Sequence, residues 1–223
     1  SVDVNPVWGG RDNRYFYANS IPWHLRDGLY EMCLRELLPM RSISLKTLEH
    51  APWATSFCAL DNGIVCQPQR GEGVYHVAPI SAEERLILDT SYATHIAPGY
   101  KCACVIETVD ATAKSYNLYA YDDSGRLLSR VDDIYAVITA PEDSSAAEAM
   151  AKNARYDAAT ATWVVVGHMT ATATELKISQ LDSGGAIIQE TTAATAGRVH
   201  GTVPIIIFNG GFAVNIAKTS GYD

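Results

Sequence analysis

An all-β fold, an antiparallel two-sheet β-sandwich or jelly roll, is what this chain predicts from three observations. The stretch from Val105 to Arg130 lies without gaps over Val165 to Glu190, an offset of 60 residues. Identical pairs include Val105/Val165, Ala111-Thr112-Ala113/Ala171-Thr172-Ala173, Asp122/Asp182 and Gly125/Gly185. Each copy reads strand, polar crossing, alternating strand, Asp-x-x-Gly turn, strand, the mark of a repeated hairpin. Turn formers (Asp61-Asn62-Gly63, Asp122 to Gly125, Asn209-Gly210-Gly211) separate short apolar runs, as hairpins require. The longest such runs, Thr162 to Val166 and Pro204 to Phe208, have the length of strands and fall far short of the ~20 residues that span a bilayer. Roughly ten strands of this kind suit two packed sheets.

Two domains are expected: an N-terminal arm and amphipathic helix over residues 1–50, and a jelly-roll domain over 51–223. Asn5 to Arg14 carries turn formers around Trp8, so it reads as an extended arm. Ser20 to Leu38 reads as the one helix. Ser20 serves as N-cap, Pro22 sits in the first turn and Pro39 ends the segment, while Leu25, Leu29, Met32, Cys33 and Leu37 form a stripe at helical spacing. Gly28 inside it costs about 1 kcal/mol against Ala, so packing must hold it.

Beyond Trp53 the elements follow as strands. Thr55 to Leu60 and Gly63 to Gln67 flank the first hairpin turn. Val74 to Val77 and Arg85 to Asp89 come next, with a short helical turn at Ala82-Glu83-Glu84. His95 to Gly99 is a loop before the strand Tyr100 to Thr108. Ala140 to Ala158 is a polar, Ala-rich break, either a short helix or a surface loop. Thr202 to Phe208 and Phe212 to Lys218 close the chain as a hairpin.

Composition sets limits on function. The 223 residues are 48% apolar and 19% charged, an ordinary folded composition. Net charge is −8, with no Lys or Arg cluster, so a phosphate backbone is repelled and nucleic acid is not an expected partner. Neither is a membrane. The opening Ser-Val-Asp-Val-Asn-Pro has no basic start or apolar core, and no signal peptide is expected. Cys33, Cys58, Cys66, Cys102 and Cys104 are odd in number and irregularly spaced, which favours free buried thiols in a reducing compartment over a disulfide framework. Cys102 and Cys104, two apart, share a face of their strand with Ala103 opposite.

The order of pieces from residue 74 to 218 resembles the jelly roll of carbohydrate-binding modules. The resemblance rests on Leu88 to Ser91, then Ala97-Pro-Gly-Tyr-Lys-Cys-Ala-Cys-Val105, Tyr116 to Gly125, Ala158 to Met169 with Trp163, and Phe212 to Ile216. Similar domains occur in bacteriophage virion proteins such as tail adhesins, head fibres and capsid decorations. The resemblance implies a non-enzymatic structural protein of a phage particle, made in the host cytoplasm and located in the virion. Its expected partners are other virion proteins and further copies of itself. The alternative it implies is a module or adhesin that binds a cell-surface glycan.

Motifs for chemistry are scarce. The six histidines form no metal-spaced pair, and no metal, cofactor or catalytic residue is expected. The Asp-rich segment at Asp122-Asp123 reads as a turn, because the second copy keeps only Asp182. Trp8, Tyr15, Phe16, Tyr17 and Trp23 concentrate aromatic area in the N-terminal region, as interface anchors do. They are the expected partner-binding residues, with capping of the chain's own core as the alternative. Tyr119 shares a strand face with Tyr121 and aligns with the polar Ser179, so it is the sugar-stacking candidate. Trp163 is expected in the core.

Overall fold

The computed structural model describes residues 6–9, 15–18, 28–33, 38–44, 56–68, 72–78, 83–92, 94–110, 115–134, 153–168, 175–194 and 205–214, the first four segments as backbone. The chain is all-β and antiparallel. Among the described residues eighteen strands form four four-stranded sheets and one two-stranded sheet. In every sheet each strand pairs with its neighbour in sequence. β1 (Pro6–Gly9), β2 (Tyr15–Ala18), β3 (Gly28–Cys33) and β4 (Leu38–Ser44) make the first sheet. β5 (Ser56–Ala59), β6 (Ile64–Gln67), β7 (Val74–Ala78) and β8 (Glu83–Leu88) make the second. β9 (Thr94–Pro98), β10 (Ala103–Asp110), β11 (Ser115–Tyr121) and β12 (Leu127–Val131) make the third. β13 (Ala154–Asp157), β14 (Thr162–His168), β15 (Glu175–Asp182) and β16 (Ile187–Ala194) make the fourth, and β17 (Ile205–Phe208) with β18 (Gly211–Val214) the last.

This is a series of meanders in place of the expected jelly roll. A jelly roll needs long connections that bring sequence-distant strands side by side. Among the described residues every strand of a sheet pairs only with its neighbours in sequence. The helix expected over Ser20 to Leu38 is likewise replaced by β3 and β4, with residues 19–27 and 34–37 outside the described set. β3 pairs on one side with β2 (Phe16 opposite Tyr30) and on the other with β4 (Tyr30 opposite Ser42). Two strand partners satisfy its backbone, and Gly28 lowers the helical propensity of the segment. The expected arm, Asn5 to Arg14, supplies β1 of this sheet, and β2 follows it. Glu83 and Glu84 lie in β8 and not in a helical turn, and His95 to Pro98 form β9 and not a loop. Of the polar break at 140–158, residues 140–152 lie outside the described set and Ala154–Asp157 is β13.

The chain divides into two compact units, residues 1–96 with the turn 123–126, and residues 97–122 with 127–223. The expected boundary near residue 50 falls inside the first. In the second unit the repeat takes up equivalent roles, as its sequence predicted. Ile106 pairs Leu118 and Val166 pairs Ile178, while Tyr121 pairs Leu127 and Leu181 pairs Ile187. Both copies even shift register at the same step, after Ala120 and after Gln180. The 60-residue period is therefore one four-stranded meander.

Two layers of core hold this unit. Cys102, Cys104, Ile106, Tyr116, Leu118, Ala120 and Val131 of the third sheet pack on Ala154, Tyr156, Trp163, Val165 and Leu181 of the fourth. Val164, Val166 and Ile178 on the opposite face of the fourth pack with Ile205, Ile207, Phe212 and Val214 of the last. A strand covered on both faces must be apolar at every position. That requirement explains the unbroken run Trp163 to Val166, all four residues of which are buried.

Candidate functional site

The first unit gathers its polar groups around His76. Its ring sits where a Cβ on Gly63 or on Gly125 would stand, the latter with φ of +73°. Only glycine lets both turns close so tightly over an imidazole. His76 Nε2 lies 2.9 Å from the Asp123 carbonyl, which can only accept, so that nitrogen carries the proton. The Asp123 carboxylate accepts from the Asn62 backbone N–H at 2.7 Å and from Asn62 Nδ2 at 2.5 Å. Arg85 Nη2 donates to the Ser124 carbonyl at 2.6 Å. Beside this clasp lies an open depression of about 770 Å³ bordered by Glu83, Arg85 and Arg126 as well as His76, Asn62 and Asp123. Its border offers hydrogen-bonding groups and side chains of both charges. Both turns were legible in the sequence as Asp-x-Gly and Asp-x-x-Gly corners. Their meeting, across 61 positions, was not.

Tyr119 does not present a stacking platform. It is 4% exposed, and a sugar ring needs the open face of an aromatic. Its hydroxyl donates to Glu107 Oε2 at 2.9 Å, the same oxygen that accepts from Asn117 Nδ2 at 2.9 Å. Its ring stacks on Tyr121 at 6.4 Å and carries the Arg130 guanidinium 5.8 Å from its centroid. Burial, with the Glu107 carboxylate beside it, pushes the Tyr119 hydroxyl up to about 12, and burial raises Tyr121 as well. The equivalent face of the second copy holds Lys177 Nζ against Glu190 at 2.7 Å, with Ser179 Oγ donating to the same carboxylate at 3.1 Å. The repeat thus keeps a buried polar knot at one place and changes its members.

The remaining expected residues distribute as follows. Trp8 lies in β1 and Tyr15, Phe16 and Tyr17 in β2, whereas Trp23 lies outside the described residues. Trp163 is fully buried, and its Nε1 donates to Ser129 Oγ at 2.8 Å. Asp182 is a turn former: its Oδ1 accepts from the N–H groups of Gly184 and Ala186, both at 2.9 Å. No group of three or more His, Cys, Asp or Glu with metal-holding geometry occurs among the described residues.

Four described cysteines, Cys58, Cys66, Cys102 and Cys104, are buried and in no disulfide. The strand expected from Tyr100 begins at Ala103, so Cys102 lies in the bend before β10 and Cys104 within it; both are buried, as expected, and both meet Tyr156. Cys102 Sγ lies 3.4 Å from the Tyr156 carbonyl, and the Tyr156 N–H donates to Cys104 Sγ at 3.2 Å. Burial alone would raise the Cys104 thiol, but Cys102, the Arg155 charge and the Tyr156 N–H together hold it below its usual value. Cys66 behaves oppositely: burial, then Glu84, pushes it up to about 12.

No protein-family model matches the chain, and no curated protein does. Solved structures do resemble it. Hsv2 of Kluyveromyces lactis superposes with a TM-score of 0.50 at 9% identity, covering 90% of this chain and 54% of its own. The hydrazine synthase of Kuenenia stuttgartiensis gives 0.46 at 10% identity, covering 89% of this chain and 50% of its own. The dihydro-heme d1 dehydrogenase NirN gives 0.44 at 9%, covering 84% and 37%. All three are β-propellers. The chain spans about half the length of the Hsv2 chain. The Hsv2 likeness bears on fold alone, and it agrees with the order of strands, since a propeller blade is a four-stranded meander.

Proposed function

We propose that this chain is a non-enzymatic structural and interaction protein, built of propeller-type meanders, that assembles with further copies of itself. One observation carries the reading. The β17–β18 sheet packs Ile205 and Ile207 inward against the fourth sheet, while Ile206 and Phe208 are 63% and 51% exposed on its other face. Exposed apolar residues adjoining on one strand face mark an interaction surface. The fitting occupant is the apolar face of another such sheet from a second copy, because each neighbouring sheet of this unit covers the next in that way. The aromatic residues of β1 and β2 are a second place for assembly contacts. The sequence pattern of residues 74–218, which resembles that of virion proteins, makes a phage particle the assembly to test first.

Light scattering over a range of concentrations tests the proposal. The wild-type chain is expected to exceed its 24.2 kDa monomer mass, and the Ile206→Glu/Phe208→Glu variant to stay folded and monomeric. A strictly monomeric wild type, or glycan binding by a monomer on an array, overturns it. Neighbouring genes for portal, capsid or tail proteins are expected on the particle reading.

A further inference from the structure

We propose that Cys102 and Cys104 form a two-coordinate site for a soft monovalent cation, Cu(I). Gly99 is the reason the two sulfurs converge. A Cβ built on it would stand 2.5 Å from Cys102 Sγ, 2.5 Å from the Tyr156 carbonyl oxygen and 2.9 Å from Cys104 Sγ, so both sulfurs pack beside the Tyr156 carbonyl against the same side of the Gly99 backbone. The surrounding backbone is fixed by hydrogen bonds. Gly99 N–H donates to the Cys102 carbonyl at 2.9 Å, Tyr100 N–H to the Tyr156 carbonyl at 2.9 Å, and Ala158 N–H to the Tyr100 carbonyl at 3.2 Å. The sulfurs are thus held from two directions before any ion arrives.

The two thiols are not joined as a disulfide. Cys102 sits in the bend just before β10 and Cys104 lies within the strand, so an ion seated between their sulfurs leaves β10 intact. Thiolate donors select soft ions. Zinc wants four ligands, and no third His, Cys, Asp or Glu joins this pair among the described residues. Two sulfurs alone suit Cu(I). Binding replaces the thiol protons: the ion forms two Cu–S bonds, the protons leave to solvent, and the product carries one negative charge. Arg155, buried and close enough to act on Cys104 by its charge, offsets that charge where solvent cannot. Lys101, exposed and with φ of 56°, and half-buried Tyr100 put the adjoining loop at the surface, which provides the way in.

The test titrates the reduced full chain with Cu(I) from its bicinchoninate complex under anaerobic conditions, with native mass spectrometry counting bound copper. One Cu(I) per chain is expected, with affinity lowered at least about 100-fold in Cys102→Ser and in Cys104→Ser. Absence of binding, or binding unchanged in both variants, overturns the site. Should the serine variants lose their β-sheet circular dichroism, the wild type decides through phenylarsine oxide. That reagent forms two As–S bonds with paired thiols and loses its oxygen as water. An adduct on tryptic peptide 102–114, which holds Cys102 and Cys104, supports the site. An adduct on peptide 47–70, which holds Cys58 and Cys66, or no adduct, refutes it.

Discussion

At the scale of single residues, the second unit is held by polar groups that have no water to fall back on. Ser129 Oγ accepts from Trp163 Nε1 at 2.8 Å and donates to the Ser183 carbonyl at 2.6 Å. Ser129→Ala removes both bonds and leaves an indole N–H buried, so unfolding in urea should show a loss of about 1–3 kcal/mol. Gly185 has φ of +93° and no space for a Cβ against Val131. Gly185→Ala is therefore expected to cost at least about 1–2 kcal/mol from the backbone alone, read in the same experiment. Tyr119 and Tyr121 set the alkaline limit. Both hydroxyls ionise above their ordinary value in the fold, so the stability they contribute is complete below pH 10 and is lost as pH rises through about 12 for Tyr119. A pH titration of tyrosinate absorbance checks this: the change from these two should coincide with loss of circular dichroism above pH 10, and ionisation at the ordinary value would refute it.

At the scale of elements, β14 is the most enclosed strand of the second unit. It pairs with β13 and β15 along its two edges, and its two faces bury Trp163 and Val165 on one side and Val164 and Val166 on the other. Opening it requires separating both layers of core, so its exchange should follow the global unfolding energy of the unit. Hydrogen exchange is expected to be slowest at Trp163 to Val166 and much faster in β18, whose Phe212 and Val214 are only partly buried. Equal protection in the two strands would contradict the layered core. The β11–β12 turn is an element of another kind. Its residues 123–126 group with the first unit, where the Asp123 carboxylate, the Asp123 carbonyl and the Ser124 carbonyl are each bonded. It is a corner specified locally and used tertiarily.

At the scale of the whole molecule, the second unit shows how its sheets solve one problem. The fourth sheet has two apolar faces that cannot stand alone in water, and the third and last sheets bury one each. The β17–β18 sheet carries Ile206 and Phe208 outward under that rule. If a second copy covers them, the association constant enters the apparent stability. The melting temperature of the wild type should then rise with chain concentration, and that of Ile206→Glu/Phe208→Glu should not. A concentration-independent melt in both would remove the face from the assembly.

By itself the sequence determined the strands of the repeat, their turns and the equivalence of the two copies. Period-two alternation, Asp and Gly at corners and a 60-residue offset are local signals, and the matching pairings Ile106–Leu118 and Val166–Ile178 agree with them. It also determined that Trp163, Cys102 and Cys104 would be buried, because an apolar run has nowhere else to go. Only the tertiary structure decided what Ser20 to Leu38 becomes. Its apolar spacing fits a helical stripe, yet over Gly28–Cys33 and Leu38–Ser44 the backbone is strand, paired with β2 and within itself. The choice between one wide sandwich and successive meanders was likewise tertiary, since alternation tells which face is apolar and not which sheet will cover it. The same holds at the sites. The Asn62–Asp123 clasp over His76, the Glu107–Tyr119 knot and the convergence of two sulfurs beneath Gly99 join side chains from separate strands or turns, and no local pattern encodes a distance between elements that only packing brings together.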